Sequence, residues 1–492
     1  MRYAAAVLTV LLTFAATSVA APNLLFVLLD EWRTEPSYST PELFAWRERN
    51  LPNLRRLERT GIEWSQHRIA TAACAPSRAS LLTGVVSTGV EQTDGAAKLA
   101  WDPEMAWLDP ATVPTLGHWL EANGRTSGFI GKWHLSRADV VVAGTQGESV
   151  PSYDAEGLPD LAAERLYRTN DRLSAFGFHD WVGPEPHGRD PLNSGASAGV
   201  NTTVATGRDA AYTRQAIDWI RDRRAPGWSL VWAPVGPHDI ATVGSYTLHG
   251  NISGFAYPID PSLPAFPTPP ADDLTTKPST QTAYRDGYAS LFQPIEDADE
   301  VRRIYYSLLA ETDRRLGQVL AALDASPFAD DTWIVLTSDH GDLLGAHPSS
   351  DGSDRNGVGL WQKWYTAYDE VLRVPMIWVP PRGEVGWATG RKINALTSHL
   401  DVLPTLIDVL GLERQPDPSR FVDGQPDLAP SRSDLLLAES LLHSDSVVRF
   451  HTEDDPSRGT TGTDWTGLRS PTQIAGPTVI DAVVRRTGRT TW

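Results

Sequence analysis

A chain of 492 residues is long for one compact unit, so a large domain with a smaller appendage is expected, and its single cysteine excludes a disulfide framework. Hydrophobic residues at 41% and charged residues at 21% suffice for a sizeable core. A net charge of −18 argues against nucleic acid or an anionic membrane as partner.

The first element is Met1–Ala20, which opens with Arg2, runs through "AAAVLTVLLTFAA" and closes on Ser18-Val19-Ala20. A charged start, a short apolar core and small residues at the end predict a secretory signal peptide cut after Ala20. The mature chain is then secreted or periplasmic, and no later apolar run is long enough to anchor it in a membrane. Export makes the lone Cys74 unusual, because oxidising compartments favour paired cysteines. Its ordinary reading is a small buried apolar residue.

The run "NLLFVLL" (23–29) leads into Asp30-Glu31. Residues 74–84, "CAPSRASLLTG", place Pro76 in a first helical turn and Gly84 at a stop, so a short helix is predicted. Cys74 then lies just ahead of a helix N-terminus, where unpaired N–H groups favour an anion, and Arg78 adds a forked donor one turn on. Those features fit either a low-pKa thiolate nucleophile or a cradle for an anionic ester such as phosphate or sulfate. "SGFI" (127–130) leads into Gly131-Lys132-Trp133-His134, and 135–175 reads as a long connection. A periodic helix over 208–224 stops at Ala225-Pro226-Gly227, and "SLVWAPV" (229–235) leads into Gly236-Pro237-His238-Asp239. A second long connection, 241–295, precedes apolar residues at helical spacing from Val301 to Leu323. "WIVLT" (333–337) leads into Ser338-Asp339-His340-Gly341, and "DVLPTLIDVLGL" (401–412) reads as a helix with an internal proline. Beyond Leu412 the chain reads as a linker and then a Gly/Thr-rich stretch.

Near-continuous apolar runs alternating with helices predict an α/β fold whose large, mostly parallel sheet is covered on both faces. Ligands in such sheets bind outside the carboxyl ends of the strands. Four runs therefore deliver Asp30, Lys132, His134, His238, Asp339 and His340 to one edge. Only five lysines accompany 38 arginines, so each lysine deserves a reason.

"CAPSRASLLTG" resembles the sulfatase signature, in which Cys-x-Pro-Ser-Arg followed by Leu-Thr-Gly marks a cysteine converted to formylglycine. "PNLLFVLLDEWR" (22–33), "FIGKWHL" (129–135), "GPHD" (236–239), "TSDHGDLLGAH" (337–347), "LWQKWYTAYDEVLRVP" (360–375) and "SHLDVLPTLIDVLGL" (398–412) resemble further motifs of that family, in the family's order. The resemblance covers 22–412 and implies an alkaline-phosphatase-like catalytic domain over 21–412. A linker and a small α+β subdomain, either abbreviated or incomplete, would occupy 413–492.

The resemblance also implies roles. A formylglycine-generating enzyme reads the Pro and Arg neighbours of Cys74 and oxidises it. Asp30, Asp339, His340 and the modified Cys74 bind a divalent metal, with calcium the family default. Magnesium or manganese stays open because His340 is a softer ligand. Glu31 is a further ligand, a hydrogen-bonding neighbour, or neither. Arg78 orients the modified residue, Lys132 pairs with its oxygens or those of sulfate, and His134 takes the proton that triggers sulfate expulsion. His238 and Lys363 contact sulfate and donate to the leaving oxygen. The substrate would be a sulfate ester of a small molecule or glycan. A phosphonate monoester or phosphodiester hydrolase using the same site is the alternative, toward which "DEWR" leans. Asp342 and His347 read as structural neighbours, and most of the 18 tryptophans as packing.

Overall fold

In the computed structural model, residues 21–421 are described, apart from 87–89, 91–105, 146–147, 154–157, 187–206, 243–258, 292–294, 296, 351–358, 364–365 and 385–386. The predicted signal peptide and C-terminal subdomain lie outside the described residues. The strands are β1 (Asn23–Leu29), β2 (Ile62–Arg68), β3 (Thr126–Gly131), β4 (Trp228–Ala233), β5 (Thr332–Ser338), β6 (Met376–Val379) and β7 (Arg391–Ser398). They form one sheet in the order β3-β4-β1-β5-β6-β2-β7. Only β6 runs against its neighbours, so the sheet is mostly parallel as expected.

The helices are α1 (Pro41–Asn50), α2 (Pro52–Thr60), α3 (Cys74–Thr83), α4 (Leu116–Ala122), α5 (Leu161–Asn170), α6 (Arg208–Arg221), α7 (Ser279–Leu291), α8 (Ala298–Asp324), α9 (Asp369–Leu372) and α10 (Val402–Leu410). Alternation along β1 divides them into two layers. Leu25, Val27 and Leu29 face a core built with Leu43 of α1, Leu54 of α2, Ile220 of α6 and Leu316 of α8. Leu24, Phe26 and Leu28 face Leu82 of α3, Leu120 of α4 and Leu406 of α10. Burying side chains of this size stabilises by roughly 1.5–3 kcal/mol each, which holds the central strands on both faces. Among the described residues no helix is long and apolar enough to cross a membrane.

The strand runs named from the sequence agree to within two residues. The two long connections are corrected, because 135–175 contains α5 and 241–295 contains α7. Pro404 sits in the first turn of α10, where no intrahelical N–H is needed, so it starts the helix instead of breaking it.

Candidate active site

Register brings the polar strand tails side by side. Leu29 pairs with Ser338 and Gly131 with Ala233 at the last step of their ladders. One further bond continues each ladder: Asp339 N donates to Leu29 O at 3.1 Å, and Lys132 N to Ala233 O at 2.8 Å. At Gly131, where φ is +116°, a Cβ would lie 1.9 Å from Ala233 O, so only glycine lets the two backbones approach this closely.

Helix α3 docks its N-terminus against the same edge. Cys74 is its first residue, one position further in than the sequence suggested, and Gly84 ends it at φ +69°. The Ser77 hydroxyl donates to Asp339 O, tying α3 to the end of β5. Arg78 then reaches three strands at once. Its Nε donates to Asp339 Oδ2 at 2.8 Å, its Nη2 to Asp30 Oδ2 at 3.0 Å, and its Nη1 to Lys132 O. The Lys132 ammonium contacts the same Asp30 oxygen. Asp30, Arg78, Lys132 and Asp339 are fully buried.

The His340 Nδ1–H donates to Gly341 O at 2.8 Å, which leaves Nε2 presenting a lone pair. That lone pair lies 3.1 Å from Cys74 Sγ, 3.7 Å from Asp30 Oδ1 and 3.5 Å from Asp339 Oδ1. Asp30 Oδ1 is buried with no hydrogen-bond partner among the described residues. One donor atom from each of Asp30, Cys74, Asp339 and His340 lies within 4.8 Å of the others. Carboxylate oxygens and an imidazole lone pair converging in a dry site repel one another until a cation sits between them, so the set fits one divalent ion.

Glu31 stands beside that group. It has φ +65°, its N–H donates to Asp339 Oδ1 at 3.2 Å, and Tyr305 donates to its carbonyl at 2.9 Å. Its carboxyl faces Lys363 at 3.6 Å and His238 at 3.9 Å, and the close-set donors it joins are those of Asp30 and His238. Burial, reinforced by Asp342 and opposed by Lys363, pushes that carboxyl well above its usual range.

Charge sorts the remaining groups. Burial resists ionisation of Asp30, but Lys132, His238 and Arg78 carry it below the usual carboxylate range; Asp339, buried and next to Asp30, is raised. Burial also resists a thiolate at Cys74, yet Lys132 and Lys363 pull the thiol well below its ordinary value. Burial depresses His134 to about 4 and His238 to about 3, so both rings are neutral at neutral pH. Burial alone would lower Lys363, but Cys74, Glu31, Asp30 and Asp339 raise it and keep it cationic.

All the candidate residues named from the sequence therefore meet at one edge. Asp342 caps Leu344 N at 2.6 Å, and His347 bridges Glu370 at 3.2 Å and Asp272 at 3.5 Å, as structural neighbours do. Sequence reasoning missed the residues that hold the turns. Asp209 at the start of α6 accepts from Val235 N and Gly236 N at 2.6 and 2.8 Å, fixing the turn that carries His238. Glu185 accepts from His134 N at 2.8 Å. Both act on backbone, and nothing in their local sequence advertises it.

A mostly parallel sheet with helices on both faces, whose strand ends gather buried cations and a cation-fitting donor set around one buried cysteine, defines an α/β enzyme suited to an anionic substrate. The sulfatase family model matches residues 22–412. The chain belongs to the sulfatase family and is a sulfuric ester hydrolase. It is 25% identical over 447 residues to an uncharacterized sulfatase, YidJ, of Escherichia coli (strain K12), covering 89% of this chain and 75% of that protein. It is 26% identical to the steryl-sulfatase of Rattus norvegicus, covering 89% and 74%. It is also 24% identical to the choline-sulfatase of Rhizobium meliloti (strain 1021), covering 80% and 68%. In fold it is similar to a putative sulfatase from Bacteroides thetaiotaomicron VPI-5482, with TM-score 0.54, 18% identity and 84% and 74% of the two chains covered. It is likewise similar to the phosphonate monoester hydrolase of Agrobacterium radiobacter, with TM-score 0.51, 21% identity and coverage of 83% and 78%.

Proposed function

We propose that this sulfatase cleaves a sulfate monoester through a formylglycine at position 74, with a divalent cation, calcium by family default, held by Asp30, Asp339, His340 and residue 74. The observation that carries the reading is the convergence of those four residues under the Lys132 and Lys363 ammonium groups. The hydrate of the aldehyde would supply two hydroxyls on one carbon: one to bond sulfur as the bond from sulfur to the alcohol oxygen breaks, and one whose deprotonation re-forms the aldehyde as the carbon–oxygen bond to sulfate breaks. The cation, when bound by these residues, would supply positive charge that favours an ionised hydroxyl there and draws in an anionic ester.

The other steps belong to side chains. Arg78 holds Asp30 and Asp339 in place and favours their ionised forms. His134, neutral and beside residue 74, takes the proton whose loss ends the cycle. Lys363 gives the sulfate oxygens a permanent positive partner. His238 offers an N–H to the bridging oxygen, and the incoming anion raises its proton affinity as that oxygen departs.

The test is a turnover panel on protein co-expressed with a formylglycine-generating enzyme, using matched aryl sulfates, aryl phosphodiesters and phosphonate monoesters. Peptide mass spectrometry of residue 74 runs alongside. Sulfate ester turnover that tracks the aldehyde-bearing fraction is expected. Full activity with an unmodified thiol would sink the mechanism, and preference for the phosphorus esters would transfer it to the other substrate class.

A further inference from the structure

His134 has a backbone no side chain prefers. Its φ is +56°, the left-handed region that is uncommon for residues with a Cβ, and it sits in a turn just past the end of β3. Something must hold it there, because a relaxed backbone would swing the imidazole away from residue 74. The hold on its N–H comes from Glu185 Oε1 at 2.8 Å. Trp107 packs edge-on against the ring, with centroids 6.1 Å apart and an interplanar angle of 64°.

Glu185 is itself fixed from behind. Its own N–H donates to Asp139 Oδ1 at 2.7 Å, and Ser149 Oγ donates to the other Asp139 oxygen at 2.6 Å. Arg208 Nη2 donates to the carbonyl of Pro184, the residue before it. The brace thus runs from the 139–149 connection and the start of α6 to the amide of His134. Glu185 is fully buried, and its Oε2 has no hydrogen-bond partner among the described residues. A buried carboxyl with one oxygen unsatisfied costs stability.

We propose that Glu185 is a positioning residue for the reaction, holding the His134 backbone in its left-handed turn so that the ring stays on residue 74. The inference rests on the role given to His134 under the proposed function. Glu185 reaches the site through the His134 amide, and what it controls is the geometry of the proton acceptor.

Two substitutions separate the acceptor oxygen from the acid group. Glu185→Gln keeps an acceptor oxygen at the same reach, whereas Glu185→Ala leaves the His134 N–H buried without one. On aldehyde-bearing enzyme, Glu185→Gln should stay within about 3-fold of wild type in kcat and KM. Glu185→Ala should lose about 10- to 100-fold in kcat, as loss of an outer partner of an active-site histidine typically does, with KM little changed. Hydrogen exchange at the His134 amide should speed up in Glu185→Ala and stay slow in Glu185→Gln. If Glu185→Ala does not fold, Glu185→Asp carries the test, because it keeps the carboxyl but withdraws the acceptor by roughly one methylene, about 1.5 Å. It should show the same kcat loss and faster exchange. Wild-type kcat in the shortened variant, a KM rise in place of a kcat loss, or a Glu185→Gln loss as large as that of Glu185→Ala would each overturn the proposal. Full kcat in His134→Ala would overturn the role of His134 instead, and the exchange measurement would still report whether Glu185 holds the turn.

Discussion

Replacing Arg78 tests the electrostatic frame of the site without reference to any substrate. The guanidinium is fully buried and donates to Asp339 at 2.8 Å, to Asp30 at 3.0 Å and to the Lys132 carbonyl. Arg78→Met fits the space but strips both carboxylates of that partner. Breaking a buried ion pair by removing one member costs about 3–5 kcal/mol, and Lys132 remains to satisfy part of Asp30, so a loss near 3 kcal/mol is expected. Arg78→Lys keeps the charge but cannot fork, so it should recover only part of the loss. A divalent cation would offer Asp30 and Asp339 a second positive partner, so the penalty should be largest in chelator and shrink with calcium. The assay is urea unfolding of wild type and both variants, in EDTA and in saturating calcium. If Arg78→Met in EDTA matches wild type within about 0.5 kcal/mol, the frame is misread. If calcium leaves the difference unchanged, the cation site is not where these carboxylates meet.

Asp339→Ala should abolish turnover and tight calcium binding by calorimetry while near-ultraviolet dichroism keeps its folded shape; retained calcium affinity would refute the ligand assignment. His238→Ala should slow esters of poorly acidic alcohols far more than nitrophenyl esters, within the roughly 10²–10⁴-fold range of general acid catalysis. Equal losses across leaving groups would leave His238 as a sulfate contact only. Burial, with Asp139 nearby, lifts the Glu185 carboxyl from 4.5 to about 8, so between those values the folded chain keeps a proton that the unfolded chain has lost. Wild-type stability relative to Glu185→Gln should therefore be greatest below about pH 4.5 and fall, by at most about 1.4 kcal/mol per pH unit, as pH rises toward 8. A pH-independent difference in urea midpoints would contradict the buried, protonated carboxyl.

The four strands that carry the site were legible because each is covered on both faces and so reads as an unbroken apolar run ending in charge. The others were not. β2, "IEWSQHR", is half-buried and mostly polar, β6 is four residues long, and β7 begins on Arg391-Lys392 at the sheet edge. Helix α7 hid in a connection because Thr, Ser and Gly287 dilute its apolar face. Within the site, Cys74, Arg78, Lys132 and Asp339 belong to short motifs whose spacing survives without a structure. Asp209, Glu185 and Tyr305 do not, because each bonds the main chain of a segment 26 or more positions away. A carboxylate that caps a distant turn looks in sequence like any helix-surface acid.

The complete burial of Cys74 carries a consequence in time. Its sulfur is walled in by His340 and by segments that arrive from positions 30 to 363, so the enclosure closes only when long-range strand pairing is done. Such non-local pairing is the slow part of building a sheet of this kind. Under the proposed maturation, an enzyme that must take the Cys74 peptide into its own cleft would reach it only on a chain that has not yet folded, in a race against closure. A chain that folds first would keep its thiol, out of reach of another protein's active site although a small ester could still enter. A single preparation would then hold two covalently different proteins with the same fold, in a ratio set by the speed of folding.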